Sequence, residues 1–331
     1  MEKSIESIKS SKKSYLEVAP DVWTMKIGIV NIYMIANPEG TTDSWVLVDA
    51  GLKGSAGRIL QMAEKLFGKG TKPLSIVLTH GHFDHVGALS ELLKIWDVPV
   101  YAHALELPYL TGSSSYPSAD PTAGGGWMTL LSWAFPTKPI DLGTRAQALN
   151  TEVCIPGLPE WKVIHTPGHS AGHISLFRNT DKTLIVGDAF VTTQQESAIS
   201  VYLQKRKISR PPRYFTTDWN RAYNSVKILA ALDPQIAASG HGKPMAGKEL
   251  QKGLDKLIMN FYQEAVPEKG RYVKEPAIFN ENGTQYVPSL QIAPFITKTI
   301  TRGVVSYIAF QVIKRIKYKN LGFLFSRLIN I

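Results

Sequence analysis

Four side chains able to bind metal fall within six residues, His80, His82, Asp84 and His85 in THGHFDH. They follow directly on the apolar run SIVL, and the end of a strand is where side chains can converge on one point. In an extended segment residues two apart face the same way, so His80 and His82 can grip one ion. The path beyond Phe83 can turn Asp84 and His85 toward a second, and Gly81 permits the tight turn between them. Three further polar residues close apolar runs with glycine beside or near them: His169 in HTPGHSAGH, Asp188 in LIVGDA and His241 in AASGHG. The repeated design is a rigid strand that delivers one ligand to a common rim. Imidazole suits zinc, and a carboxylate set between two cations bridges them and lowers their repulsion. The competing explanation is that these histidines only make hydrogen bonds in loops. It accounts poorly for HGHFDH, because a loop has no packing use for three imidazoles; for His241 or Asp188 taken singly it is stronger, and only the ordered set argues against it.

The elements that must position these residues show in the hydrophobic pattern. DVWTMKI, IVNIYMIAN and WVLVDAG read as strands, AGRILQMAEKLFGKG as an amphipathic helix stopped by glycine, SIVL and VPVYAH as strands, and VGALSELLKIW as a helix. This β-α-β rhythm predicts an α/β layered fold. Residues 107–145 break it with a stretch rich in Gly, Ser and Pro that leads into WMTLLSWAF, an insert able to cover a site. Strand patterns return at WKVIHT, HISLFRN and TLIVGD. A second irregular stretch, 190–216, is followed by a helix in DWNRAYNSVKILAALD with Asp218 as its N-cap, and by a strand in QIAAS. The insert 107–145 and the loop 190–216 are expected to wall the substrate site, Trp127 and Trp133 pointing either to an apolar substrate portion or to packing of their helix on the body.

HxHxDH followed in order by His169, Asp188 and His241 resembles the metallo-β-lactamase superfamily, over roughly residues 20–245. The resemblance implies an αβ/βα four-layer sandwich, here a catalytic domain over residues 1–250 with a basic helical extension over 251–331. It implies one metal on His80, His82 and His169, a second on Asp84, His85 and His241, and Asp188 bridging them. Asp49 in VLVDAG becomes a residue that orients the ligand loop, with a plain turn aspartate as the alternative. His103, His165 and His173 lie outside the ligand pattern and are taken as structural or supporting. The expected cofactor is a pair of divalent ions, zinc first, with iron and manganese as alternatives. Such a pair lowers the pKa of bound water toward ~7 and supplies a hydroxide nucleophile, while Asp84 or a metal-bound water handles the proton going to the leaving group.

The bond to be cut is less constrained. Dinuclear lactamases differ at the position of Asp188. Quorum-quenching lactonases share that aspartate but carry a tyrosine three positions later, where this chain has Val191; Tyr202, Tyr214 and Tyr223 are the candidates to replace it. Glyoxalase II-type thioesterases share the ligands, without a clear match to their glutathione-binding segment. Nucleases of the RNase Z type share them too, and KRKISRPPR (205–213) offers phosphate contacts or simply a solvated loop. A mononuclear iron oxygenase of the same fold needs only the first trio, and the intact second set argues against it. An ester, lactone or thioester is the favoured substrate, with phosphodiesters behind.

The formal net charge is +10, yet residues 291–331 hold seven basic residues and no acid, which leaves +3 for the rest. That moves the basic character to the tail and argues against nucleic acid as a partner. Val304, Val305, Ile308, Val312 and Ile316 recur at helical spacing beside Lys314, Arg315, Lys317 and Lys319. Such a stripe can lie on an anionic membrane or pack on the body or a second copy. A membrane-binding or partner-binding module with merely structural metals is the competing class, and two carboxylates among seven ligands argue against it. The only cysteine, Cys154, excludes an intrachain disulfide and reads as an ordinary buried residue. With no secretory leader pattern and no apolar run of about eighteen residues, the expected place is the cytoplasm, peripheral to a membrane if the tail docks there.

Overall fold

The computed structural model describes residues 15–40, 44–149 and 155–290. Apolar runs rich in Val, Ile and aromatic residues become β1 (Leu16–Ala19), β2 (Val22–Ile27), β3 (Val30–Ala36) and β4 (Trp45–Val48), paired antiparallel in sequence. Three parallel strands continue the same sheet, β5 (Ser75–Val77), β6 (Val100–Ala102) and β7 (Ala146–Ala148), giving seven in simple order. Parallel neighbours need a crossover, and the helix Ala56–Phe67 supplies the first, burying Ile59, Met62 and Ala63.

The second sheet is formed by β8 (Trp161–His165), β9 (Ile174–Arg178), β10 (Thr183–Gly187), β11 (Ile236–Ser239) and β12 (Met245–Ala246), in the order β12-β11-β10-β9-β8. Its outer face is covered by the helices Trp219–Ala231 and Gly247–Met259 through Val226, Leu229, Leu250 and Leu254. Asp218 caps the first of them as the sequence predicts, accepting from the Arg221 N–H at 2.9 Å.

The period of two along the strands decides the layering. Tyr33, Ile35, Val46 and Val48 face Trp161, Leu176 and Ile185 between the sheets. Their neighbours Ile32, Met34, Trp45 and Leu47 face outward onto the helix Ala56–Phe67, while Leu184 and Val186 face outward on the other side. Strands apolar on both faces must be covered on both, so the result is helix, sheet, sheet, helix, the expected αβ/βα sandwich.

One expected element differs. VGALSELLKIW is not a single helix; Phe83–Val86 and Leu89–Leu92 are separate short helices. The turn after β4 wedges between them: the Gly87 N–H donates to the Gly51 carbonyl at 2.7 Å, and a Cβ at Gly87 would collide with the Lys53 backbone nitrogen. A compact unit runs to Ser289, and it includes the helix Gly247–Met259 and the hairpin β13 (Ile278–Asn280) with β14 (Gly283–Tyr286). The amphipathic stripe 304–316 and Cys154 lie outside the described residues.

Candidate metal centre

Five of the seven sequence-predicted ligands sit just past the end of a strand, and Asp84 and His85 lie on the short helix Phe83–Val86 that follows His82. β5 leads to His80 and His82, β8 to His169, β10 to Asp188 and β11 to His241. All seven side chains are buried. Three groups have ligand atoms within 4.8 Å of one another: His80, His82 and His169; His80, His85 and Asp188; Asp84, His85 and His241. Asp188 lies between the outer two, its Oδ2 3.1 Å from His241 Nε2, 3.5 Å from His169 Nε2 and 3.8 Å from His85 Nε2. Donors bound at about 2.0–2.2 Å to one tetrahedral ion stand roughly 3.3–3.6 Å apart, so these spacings fit shared ions. The donors also lack other work: His80 Nε2, His85 Nε2 and Asp188 Oδ1 are buried with no hydrogen-bond partner. A native interior rarely tolerates such a cluster of orphaned polar atoms, and divalent ions satisfy all three.

The electrostatics point the same way. Burial, reinforced by neighbouring imidazoles, holds His80 and His82 well below the ordinary histidine range, leaving neutral rings with free lone pairs. Burial acts in that sense on His85 and His241 too, but the carboxylates beside them prevail and push both upward. Burial raises Asp84. For Asp188 burial opposes ionisation and is outweighed, chiefly by His241 and His85, which hold its carboxyl well below the usual range. Buried carboxylates thus draw positive charge into this end of the site, the charge a metal ion also provides.

Supporting contacts fix the geometry. Asp49, at φ 61°, accepts from the Thr79 N–H at 2.8 Å and the Thr79 hydroxyl at 2.9 Å, and its Oδ2 meets His85 Nδ1 at 2.8 Å. It therefore ties the end of β4 to the ligand loop and aims His85 Nε2 inward. His241 Nδ1 donates to the Ile29 carbonyl at 2.7 Å, with the same effect. His173 is no ligand: its Nε2 accepts from the Asp188 N–H at 2.8 Å while Nδ1 meets the Thr166 hydroxyl at 2.8 Å. Burial keeps its ring neutral, as that acceptor role demands. Gly240 has to be glycine, because a Cβ there would collide with Asp188 Oδ1.

Sequence reasoning missed Glu106. Its carboxylate is fully buried and accepts from the Gly81 N–H at 3.0 Å, the Ser170 hydroxyl at 2.7 Å, the Gly172 N–H at 2.9 Å and the Tyr116 hydroxyl. It joins the loop bearing His80 and His82 to the one bearing His169. A glutamate in the apolar run ALELPYL was the available signal, since a charge amid buried residues is normally paired.

The cleft over the ligands is lined by Phe83, Phe135, Pro212, Tyr214, Phe215 and Ile29. The loop 190–216 and the insert 107–145 thus each contribute to the wall, but Trp127 and Trp133 do not. They are 67% and 73% exposed, and Phe135 takes the place expected of them. Of the three candidate tyrosines, Tyr202 is 84% exposed and Tyr223 packs on Phe261 and Tyr262. Tyr214 alone reaches the cleft. Two of the three arginines of KRKISRPPR are committed elsewhere: Arg210 pairs with Glu196 at 3.0 Å, and Arg213 donates to the carbonyls of Glu264 and Ala265; Arg206 is exposed and does not line the cleft.

Strand-end imidazoles and carboxylates around one buried cluster, in an αβ/βα frame, define a metal-binding protein. The sequence profile of the metallo-beta-lactamase superfamily matches residues 25–241, and the chain belongs to that superfamily. Over 241 residues it is 45% identical to the probable metallo-hydrolase YflN of Bacillus subtilis (strain 168), covering 73% of this chain and 91% of that one. It is 30% identical to the probable metallo-hydrolase YybB of the same organism, over 62% of this chain and 80% of the relative. Among solved structures, the metallo-beta-lactamase family protein TTHA1429 from Thermus thermophilus superposes with a TM-score of 0.53 at 18% identity, covering 74% of this chain and 81% of that one. This likeness speaks to the fold.

Proposed function

We propose that the chain is a hydrolase that works with two divalent ions, zinc first among the candidates, on a carboxylic ester, lactone or thioester. The observation that carries this reading is the position of Asp188 Oδ2 between His169 and His241, within 3.5 Å of each. His80, His82 and His169 would hold one ion, Asp84, His85 and His241 the other, and Asp188 both. When bound, the ions supply a hydroxide nucleophile at neutral pH and polarise the substrate oxygen. Asp84, which lines the cleft, is placed to carry a proton to the leaving group. Burial first, then the nearby carboxylates, raise Tyr214 well above its ordinary range, so its hydroxyl stays protonated and can donate to a developing oxyanion. Phe83, Phe135 and Phe215 favour an apolar acyl portion. A phosphodiester finds less support, because Arg210 and Arg213 already have partners and the exposed Lys205, Arg206 and Lys207 do not line the cleft.

The test is elemental analysis of the purified protein and of Asp188→Ala, followed by a hydrolysis screen of lactones, thioesters, esters and phosphodiesters. Two metals per chain, falling in the variant together with at least a thousandfold loss of turnover, is the expected result. A single iron that is indifferent to the substitution refutes the reading. Tyr214→Phe should lower kcat about tenfold to a hundredfold with little change in KM.

A further inference from the structure

Beside the cleft wall, where Met128 and Phe135 pack against Tyr214 and Phe215, two short helices leave a large apolar surface that no described residue covers. Trp127–Leu131 and Ala198–Leu203 start side by side: the Met128 N–H donates to the Glu196 carbonyl at 3.2 Å, and the Cβ position of Gly126 lies 3.4 Å from Ser197 Cα. Trp127, Leu130, Leu131 and Trp133 on one side, and Ile199, Tyr202 and Leu203 on the other, are each 49% to 84% exposed. Single exposed apolar residues need no explanation, but a contiguous group of this size marks an interaction surface. Both anchor points are firm. Glu196, buried at the root of the pair, holds Arg210 and the Arg213 N–H at 3.0 Å each.

Apart from the buried Glu196, which is paired with Arg210, the charge beside these helices is basic. Lys205, Arg206 and Lys207 follow the second helix directly and are exposed, and residues 197–213 contain no acid. Lys26 Nζ lies 3.5 Å from the Val201 carbonyl, and its amine is pushed down by burial and by the charge of Lys243 close by. Between residues 121 and 138 the only charged residue is Lys138. Indoles and aliphatic side chains ringed by lysine and arginine match the boundary between acyl chains and anionic headgroups.

We propose that this face docks on the surface of an anionic phospholipid bilayer. A second copy is the weaker occupant, because a symmetric contact through the face brings two basic rims together. The tail 291–331 is weaker for the same reason, with seven basic residues and no acid of its own. No helix among the described residues is long and apolar enough to cross a membrane, so the contact is superficial, at the depth of the indoles. This inference stands apart from the hydrolase reading and uses none of the metal-binding residues.

The test uses the full chain with vesicles of phosphatidylcholine alone and with added phosphatidylglycerol, their acyl chains brominated. Indole fluorescence then reports which tryptophans meet lipid. Trp127 and Trp133 are the strongly exposed ones among the seven, so quenching is expected on the anionic vesicles and lost in Trp127→Ser/Trp133→Ser. Each cation near such a surface adds about fivefold to partitioning. Lys205→Gln/Arg206→Gln/Lys207→Gln should therefore weaken binding on the order of a hundredfold, with an unchanged melting temperature because all three side chains are exposed. Vesicle binding without quenching, indifferent to both variants, assigns the contact to the tail and overturns the proposal. So does absence of binding, or a lipid-free dimer that the double tryptophan variant dissociates.

Discussion

His85 and His241 each commit the inner ring nitrogen to a fixed acceptor, Asp49 Oδ2 at 2.8 Å and the Ile29 carbonyl at 2.7 Å, so that Nε2 is left for a ligand. The first trio has no such hook. His80 Nδ1 meets only the Thr79 hydroxyl at 3.1 Å, His82 Nδ1 faces His169 Nε2 at 3.0 Å, and His169 Nδ1 has no partner. What holds that trio is its backbone, through Glu106 spanning Gly81, Ser170 and Gly172. One half of the centre is thus oriented ring by ring and the other loop by loop. A ring-oriented half fails locally when its acceptor changes, whereas a loop-oriented half fails through the path of the chain.

The largest effect should come from Glu106→Gln. The amide nitrogen must face one of the donors that the carboxylate now accepts, and each buried donor left without an acceptor costs about 1–3 kcal/mol. The expected outcome is a melting temperature lower by several degrees and roughly tenfold to a hundredfold weaker metal binding at His80, His82 and His169. The second half should keep its affinity. Metal titration followed by absorption of a cobalt-substituted protein separates the two; equal weakening of both halves would break the contrast. Asp49→Asn is the converse experiment. It should weaken the Asp84, His85 and His241 half by a similar tenfold to hundredfold but cost less stability, because with the amide oxygen accepting from His85 Nδ1 only one backbone donor, the Thr79 N–H, is left without an acceptor.

The same contrast sets what could be read from the sequence. The ligands were legible because donor side chains ended apolar runs, and strand ends meet in a layered α/β fold. The layering itself followed from strands apolar on both faces, as the inward Tyr33 and Ile35 and outward Ile32 and Met34 of β3 show. Asp49 came into view through the family likeness. Glu106 did not, because three of its four partners lie 25, 64 and 66 residues away and only the folded chain brings them together. Trp127 and Trp133 misled for the opposite reason: an indole in an apolar segment predicts burial, and only the tertiary arrangement reveals that no described residue covers these two. The one long helix expected after the ligand motif failed because the turn at Gly51 is distant in sequence from Gly87, which it meets.

Tyr116→Phe is the finest probe of the loop-held half. The Tyr116 hydroxyl donates to Glu106 Oε2 and accepts from the Gly81 N–H at 2.8 Å, while its ring packs 4.5 Å from that of His82. Phenylalanine keeps the ring contact, and the Gly81 N–H retains its 3.0 Å bond to Glu106. Only one acceptor of a shared donor and one hydrogen bond to the carboxylate are lost, about 1 kcal/mol of stability. Metal binding at the first trio should weaken by no more than about fivefold, the free-energy equivalent of that loss, and the second half should not respond. Cobalt titration at the two halves reads both numbers. A loss as large as that of Glu106→Gln would mean that the phenol, rather than the carboxylate, fixes the course of the loop through Gly81.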